Sequence, residues 1–263
     1  MKTSQKLKHI IRDIMPYGIA RWYQTRKLKK TSISFGQFQQ RFEEVAYKLE
    51  DNDRFKCDWS DRQPCLNDAN TNTPFEPHYI YHPAWAARIL AKTKPVEHVD
   101  ISSSLHFVVI VSGFIPIKFY DYRPATLNLE NLHCGHVDIT KLPFEDDSIA
   151  SLSCMHVIEH IGLERYGDLF DPQGDIKGMK ELARVLERGG QLLFVVPVAA
   201  KARIDYNAHR VYRYADILSA FTELRLESFS LVTDGGMFIT PATKADADKQ
   251  QWGCGCFHFR KYA

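Results

Sequence analysis

The chain has 263 residues, of which 44% are hydrophobic and 25% charged, a composition typical of a soluble globular protein that can bury a good-sized core. The formal net charge of +2 is too small to indicate a nucleic-acid partner, so none is expected. The six cysteines lack the spacing of a disulfide framework or of a paired zinc site, and no apolar run approaches the roughly 20 residues of a membrane helix. We therefore predict a cytoplasmic protein with reduced thiols and no metal.

The first 30 residues are strongly basic. They contain nine lysines and arginines against Asp13 alone, a net charge of +8, so the rest of the chain carries −6. Leu7, Ile10 and Ile14 recur at helical spacing and form an apolar stripe. Three interpretations remain open for such a helix: contact with an anionic membrane surface, which would place the protein at the inner face of the membrane; docking on a partner; or a plain structural appendage.

Two further helices are predicted before residue 96. Phe35, Phe38 and Phe42 begin a helical stripe that runs over residues 35–49. Pro83 suits the first turn of a second helix, which ends at Lys94. We therefore predict a basic amphipathic and helical appendage over residues 1–95, followed by a separate domain over residues 96–263.

From residue 96 onward, strand-like and helix-like segments alternate. Strands are predicted near 96–101, 116–120, 131–136, 148–154, 191–196, 226–232 and 254–260. Helices are predicted near 104–112, 155–161, 174–187 and 212–221. This alternation predicts an α/β domain with a doubly wound, mostly parallel, seven-stranded sheet.

Acidic residues fall at or near the ends of three strand-like runs, at Asp100, Asp121 and Asp138. Ligands of open α/β folds bind at the carboxyl ends of parallel strands. The sequence therefore predicts a small polar ligand lying across this edge of the sheet.

The block LPFEDDSI, HVIEHI and LERGG, between residues 142 and 190, resembles class I S-adenosylmethionine-dependent methyltransferases. The resemblance covers roughly residues 96–232. It implies a Rossmann-like fold that ends in an antiparallel hairpin, with S-adenosyl-L-methionine as the cofactor. HPAWAARIL, YNAHRVY and the basic opening segment are similar to sequences of methyltransferase-like proteins found among bacterial surface-polysaccharide biosynthesis enzymes.

The resemblance also implies which residues bind the cofactor. Asp121 matches the carboxylate that accepts the ribose hydroxyls, and Asp138 matches the position beside the adenine amine. Serines follow Asp100 where the family has a glycine-rich turn. The expected cofactor-binding residues are Asp100, Ser102, Ser103, Asp121, Tyr122, Asp138, Ile139, Cys154 and His156.

Two segments are candidates for the acceptor side. His160 can take a proton from a substrate hydroxyl, because an imidazole titrates near neutrality. The alternative is that Glu159 and His160 brace the local structure. After the fifth strand, His209 or Asp205 is a second candidate base, and Arg210 suits an anionic group such as a phosphate or carboxylate. Helix capping and loop ordering are the alternative there. The expected substrate-binding residues are Glu159, Tyr206, Asn207 and Arg210.

The resemblance implies O-methylation of a sugar in a bacterial surface polysaccharide or its precursor, by in-line transfer from the sulfonium to a hydroxyl oxygen. Two alternatives stay open. One is a catalytically degenerate scaffold of the same fold in a glycan-assembly complex, because the first turn lacks glycine. The other is a nucleotide-sugar-modifying enzyme of a different class.

Overall fold

A computed structural model describes residues 32–52, 54–69, 71–102 and 104–263. The basic segment of the first 30 residues and Ser103 therefore lie outside the described residues. Two compact units are present, one ending at Phe75 and the other running from Glu76 to Ala263. Within the described residues, no helix is both long and apolar enough to cross a membrane.

The first unit contains helix α1 (Phe35–Lys48). Ser34 and Gln37 form a capping box at its start, in which each side chain accepts a hydrogen bond from the other residue's backbone N–H. The apolar stripe predicted for this helix packs around one aromatic ring. Three phenylalanines of α1 lie with their ring centroids 4.9–6.2 Å from that of Trp59, which belongs to a short 3-10 turn, Trp59–Asp61.

Helix α2 (Pro77–Thr93) begins earlier than the sequence predicts. Pro77 occupies the first turn, where a missing N–H costs nothing, whereas Pro83 lies inside the helix. Trp85, Ala86 and Leu90 of α2 are buried in the same apolar cluster as strands of the sheet. Because of this packing, α2 belongs to the unit that contains the sheet, and that unit begins at Glu76.

The second unit is built on one eight-stranded sheet with the order β3-β2-β1-β4-β5-β10-β8-β9. The strands are β1 His98–Ile101, β2 Ile117–Asp121, β3 Leu132–His136, β4 Ile149–Met155, β5 Leu186–Val198, β8 Leu224–Val232, β9 Phe238–Ile239 and β10 Gly253–Lys261. Strands β1 to β5 are parallel, and β10 runs antiparallel between β5 and β8. The predicted doubly wound fold is confirmed, and the eighth strand is the two-residue β9.

The remaining elements connect the strands. The helices are α3 Leu105–Val111, α4 Gly174–Val185, α5 Tyr214–Ala220 and α6 Lys244–Ala247, and a separate hairpin is formed by β6 Arg203–Asp205 and β7 His209–Val211. The helix predicted over 155–161 is wrong. His156 has a left-handed φ of 57°, so the chain turns sharply there and forms only a 3-10 turn at Ile158–His160.

Strand β5 shows why helices cover both faces of the sheet. Its side chains alternate between two apolar clusters: Leu192 and Phe194 belong to one, and Leu193 and Val195 to the other. All four are fully buried. A parallel strand that is buried on both faces reads as a continuous apolar run, as this one does.

A chain of buried polar side chains crosses the centre of the sheet. His98 contacts Ser151 through Nδ1 and Ser153 through Nε2, both at 2.8 Å, and Ser153 donates to Oδ1 of Asp100. Gln191 extends the chain by donating to Ser151 at 3.0 Å. Burial raises the pKa of Asp100 to about 8 and lowers the pKa of His98 to about 3, so both side chains are uncharged at neutral pH.

The variant Asp100→Asn should show a smaller loss of stability with rising pH than the wild type. The folded state keeps Asp100 protonated up to about pH 8, whereas the unfolded chain ionises it near 3.8, so its stabilisation is lost as the pH rises towards 8. His98 is present in both proteins, so its titration in the unfolded chain changes the two curves equally. We expect the wild type to lose about 1–2 kcal/mol more than the variant between pH 6.5 and 8 in urea titrations. Parallel curves for the two proteins would contradict this assignment.

Candidate functional site

A cavity of about 420 Å³ opens at the carboxyl ends of the parallel strands. Its walls include residues at the carboxyl ends of the four strands: 101–102 at the end of β1, 120–123 at the end of β2, 137–140 after β3, and 156–157 after β4. Its volume lies in the range of small-molecule sites. The position is the crevice beside β1, where the chain order of the sheet reverses.

Two carboxylates from neighbouring strand ends line this cavity. Asp121 ends β2, and its Oδ1 accepts a hydrogen bond from the N–H of Arg123 at 2.7 Å. Asp138 follows β3, and its Oδ1 accepts bonds from the backbone N–H and the hydroxyl of Thr140 at 2.9 and 2.7 Å. Within the described residues, no hydrogen bond engages Oδ2 of either carboxylate. Each carboxylate is thus oriented by one oxygen and keeps the other for a ligand.

Most of the predicted cofactor residues meet at this cavity. Those that line it are Ser102, Asp121, Tyr122, Asp138, Ile139 and His156. Asp100 and Cys154 do not line it. Both side chains lie inside a strand and are fully buried, Asp100 in the polar chain of the sheet and Cys154 in the apolar core. Burial raises the pKa of the Cys154 thiol well above its usual value.

His156 and Glu159 form a buried pair. The Nδ1 of His156 lies 2.6 Å from Oε1 of Glu159, and both side chains are almost completely buried. Burial favours the neutral form of Glu159, but the interaction with His156 outweighs it and lowers the pKa of the carboxyl group. Glu159 does not line the cavity. Its carboxylate contacts and orients the ring of His156, and His156 lines the cavity.

His160 lines the cavity, and its protonation follows from its hydrogen bond. Its Nδ1 lies 2.8 Å from the carbonyl oxygen of Ala208, which assigns the proton to Nδ1 and leaves Nε2 as an acceptor. Burial is the largest cause of its lowered pKa. The side chain is therefore neutral at pH 7 and can accept a proton.

The predicted acceptor loop forms the hairpin of β6 and β7 instead, and its residues do not line the cavity. Nε2 of His209 accepts a hydrogen bond from the indole N–H of Trp252 at 2.8 Å, so this nitrogen is already engaged. Asp205 binds the guanidinium of Arg203 at 2.8 and 3.1 Å. Tyr206 and Asn207 form the tip of the hairpin, where Tyr206 is 96% exposed.

Arg210 supports the cavity wall from behind. It donates to the carbonyl oxygens of Ile161 and Asp171 at 2.6 and 3.4 Å, and its Nε lies 3.5 Å from Asp175. These contacts hold residues 161–174, which we call the lining loop. The lining loop closes so tightly that position 162 requires a glycine. A Cβ there would lie 2.1 Å from the carbonyl oxygen of Asp171. Arg210 therefore braces the lining loop and does not face a ligand in the cavity.

Several lining residues were not predicted from the sequence. They are Tyr79 of α2, Arg123, and Tyr166, Asp168 and Asp171 of the lining loop. The closely spaced Gly162, Gly167 and Asp171-Pro172 were the available signal that this segment forms an ordered loop. Tyr79 gave no such signal, because only the packing of α2 brings it to the sheet edge.

Comparisons with known proteins support the fold. A family model described as a Caenorhabditis protein of unknown function, DUF268, matches residues 142–248. No curated protein matches the chain. The N-methyltransferase NodS from Bradyrhizobium japonicum WM9 is similar in structure, with 14% identity, a TM-score of 0.51, and coverage of 72% of this chain and 98% of NodS. Its complex with S-adenosyl-L-homocysteine aligns at 13% identity and a TM-score of 0.50, covering 84% and 98%. The chain therefore has the Rossmann-like fold of methyltransferases.

The variant Arg210→Met should loosen the lining loop. It removes two hydrogen bonds from a charged donor to loop carbonyls, each contributing about 1.5–3 kcal/mol. We expect amide hydrogen exchange in residues 161–174 to accelerate at least about 100-fold, because a loss of about 3 kcal/mol or more corresponds to such a factor. The control is Arg225→Met on β8, which removes a surface pair with Glu227. Equal exchange in the two variants would show that Arg210 does not hold the loop.

Proposed function

We propose that this protein is an S-adenosylmethionine-dependent methyltransferase that binds its methyl donor in the cavity at the carboxyl edge of the sheet. The observation that carries the proposal is the pair of carboxylates, Asp121 and Asp138, on neighbouring strand ends of a cavity of suitable size. The methyltransferase-like fold supports it.

The charges around the cavity suit a cationic ligand. Among the described residues, four aspartates and one arginine, Arg123, line it; Asp171 is paired with Lys177 at 2.6 Å, and burial lowers the pKa of His160. When bound, S-adenosylmethionine supplies a methyl group on a positively charged sulfur, and that charge is lost on transfer. An acidic cavity therefore favours the methyl donor over its product.

The residues present fit the parts of this cofactor. Asp121 offers Oδ2 to the ribose hydroxyls, and Asp138 with Ile139 offers a carboxylate and an apolar wall to the adenine. In the glycine-free first turn, the hydroxyl of Ser102 donates to the carbonyl oxygen of Met155 at 3.2 Å. This hydrogen bond supports the proposal because it fixes the Ser102 hydroxyl on the neighbouring strand.

We propose His160 as the base and a hydroxyl group of a sugar as the acceptor. Nε2 of His160 takes the hydroxyl proton while the oxygen is methylated. Rings of Tyr79, Tyr122 and Tyr166 line the cavity and provide flat apolar surfaces against which a sugar ring can pack. The placement in bacterial surface-polysaccharide synthesis rests on the flanking motifs of the sequence.

One observation favours the second candidate, a catalytically degenerate scaffold in a glycan-assembly complex. Asp100 stands where the family has its first acidic residue, yet its carboxyl group is buried in the sheet. A scaffold keeps the fold without binding the methyl donor. Ligand binding therefore distinguishes the two functions.

Calorimetric titration with S-adenosylmethionine and S-adenosylhomocysteine tests the proposal. We expect micromolar binding by the wild type, weakened about 10- to 100-fold in Asp121→Asn and in Asp138→Asn, because each variant loses a charged hydrogen-bond acceptor. Glu130→Gln is the matched control, since it removes a carboxylate just before β3, at the opposite edge of the sheet. A folded wild type that binds neither compound would support the scaffold.

The variant His160→Asn should lose catalysis and keep the cofactor. We expect methyl transfer to a panel of sugar nucleotides and lipid-linked sugars to fall at least about 100-fold, with little change in S-adenosylhomocysteine affinity. Because burial lowers the pKa of His160, the wild-type rate should persist below pH 6.5 before it falls. The control is His209→Asn, at a ring nitrogen already engaged by Trp252. If His209→Asn loses activity and His160→Asn keeps it, then His160 is not the base.

A further inference from the structure

We propose that His78, His156 and Cys254 form a binding site for a Zn²⁺ ion. The three residues come from α2, from the turn after β4 and from β10, and their side chains are buried. Their potential ligand atoms all lie within 4.8 Å of one another. Two imidazoles and a thiolate are the donor set that zinc prefers, and three protein ligands leave one position for water or another group.

One of the donor-atom separations matches that of a tetrahedral ion. Sγ of Cys254 lies 3.4 Å from Nε2 of His156. Bond lengths of about 2.3 Å to sulfur and about 2.0–2.1 Å to nitrogen place these two ligand atoms about 3.5 Å apart. The pair therefore already has the separation of one edge of a zinc tetrahedron.

The surrounding residues orient both histidines. Glu159 engages Nδ1 of His156 at 2.6 Å, which points Nε2 towards Cys254 and makes it a stronger ligand. The ring of His78 stacks on Trp252 with centroids 4.2 Å apart and lies parallel to the ring of His156. This arrangement is the carboxylate–histidine–metal pattern of natural zinc sites.

A second observation points to a cation at this place. Oε2 of Glu159 is buried and has no hydrogen-bond partner within the described part of the chain. A buried carboxylate with one oxygen unsatisfied is costly, and a divalent ion bound through His156 offsets its negative charge.

The ion would link three elements of the fold, two of which carry residues of the functional site. It joins α2, which carries Tyr79, to β10 and to the turn that carries His156, and both Tyr79 and His156 line the cavity. Binding there stabilises the folded state by an amount that rises with the logarithm of the free ion concentration once this exceeds Kd. The proposed ligands do not include Asp121 or Asp138, so zinc binding can be measured without the methyl donor.

Zinc binding is measured by competition with a chromophoric chelator, using the full chain stripped of metal and kept reduced. We expect one ion per chain, and a rise in Tm of roughly 5–10 °C at a free Zn²⁺ concentration about 100 times Kd. Substitution with Co²⁺ should produce a thiolate-to-metal charge-transfer band. In Cys254→Ser and His78→Asn, affinity should fall at least about 100-fold.

The control is Cys134→Ser, which removes a half-buried thiol from the edge strand β3, away from β10. It should bind Zn²⁺ within about threefold of the wild type, since it lies outside the ligand set. Binding that survives in Cys254→Ser, or a wild type without the cobalt charge-transfer band, would overturn the proposal. Since no methyl donor is present in these titrations, their outcome is distinguishable from failure of the methyltransferase proposal.

Discussion

The parallel pairing of β1 with β2 on one side and with β4 on the other is the constraint on which the site depends. The chain leaves β1 towards β2 and β3, and must then return across β1 to form β4. The connections therefore diverge above β1 and leave a crevice at the carboxyl edge of the sheet. Residues that end these strands, such as Ser102, Asp121 and His156, are brought together by this topology although they are far apart in sequence.

Position at the carboxyl edge of the sheet is predictable for residues that follow the ends of strands. Asp121 and Asp138 come directly after apolar runs, so alternation alone places them at the carboxyl edge. Asp100 was misplaced because it lies inside a strand, where pairing with Ser153 of β4 determines its surroundings. Sequence periodicity does not contain that register.

The acceptor side was harder to predict because long-range packing determines it. The segment around His209 carries polar and aromatic residues, which suits an acceptor loop equally well as a hairpin. The segment forms a hairpin because β6 pairs with β7 and Arg210 contacts the lining loop. The spacing of residues within the segment predicts neither interaction. His160 follows the left-handed turn at His156 and lines the cavity, whereas His209 pairs with Asp205 in the hairpin and does not line it.

A crystal structure of the protein with S-adenosylhomocysteine tests the central claim most directly. The account predicts ligand density in the cavity, with the ribose hydroxyls at Asp121, the adenine between Asp138 and Ile139, and the sulfur on the side of His156 and His160. A ligand-free cavity at saturating concentration, or a ligand bound away from both aspartates, would contradict it.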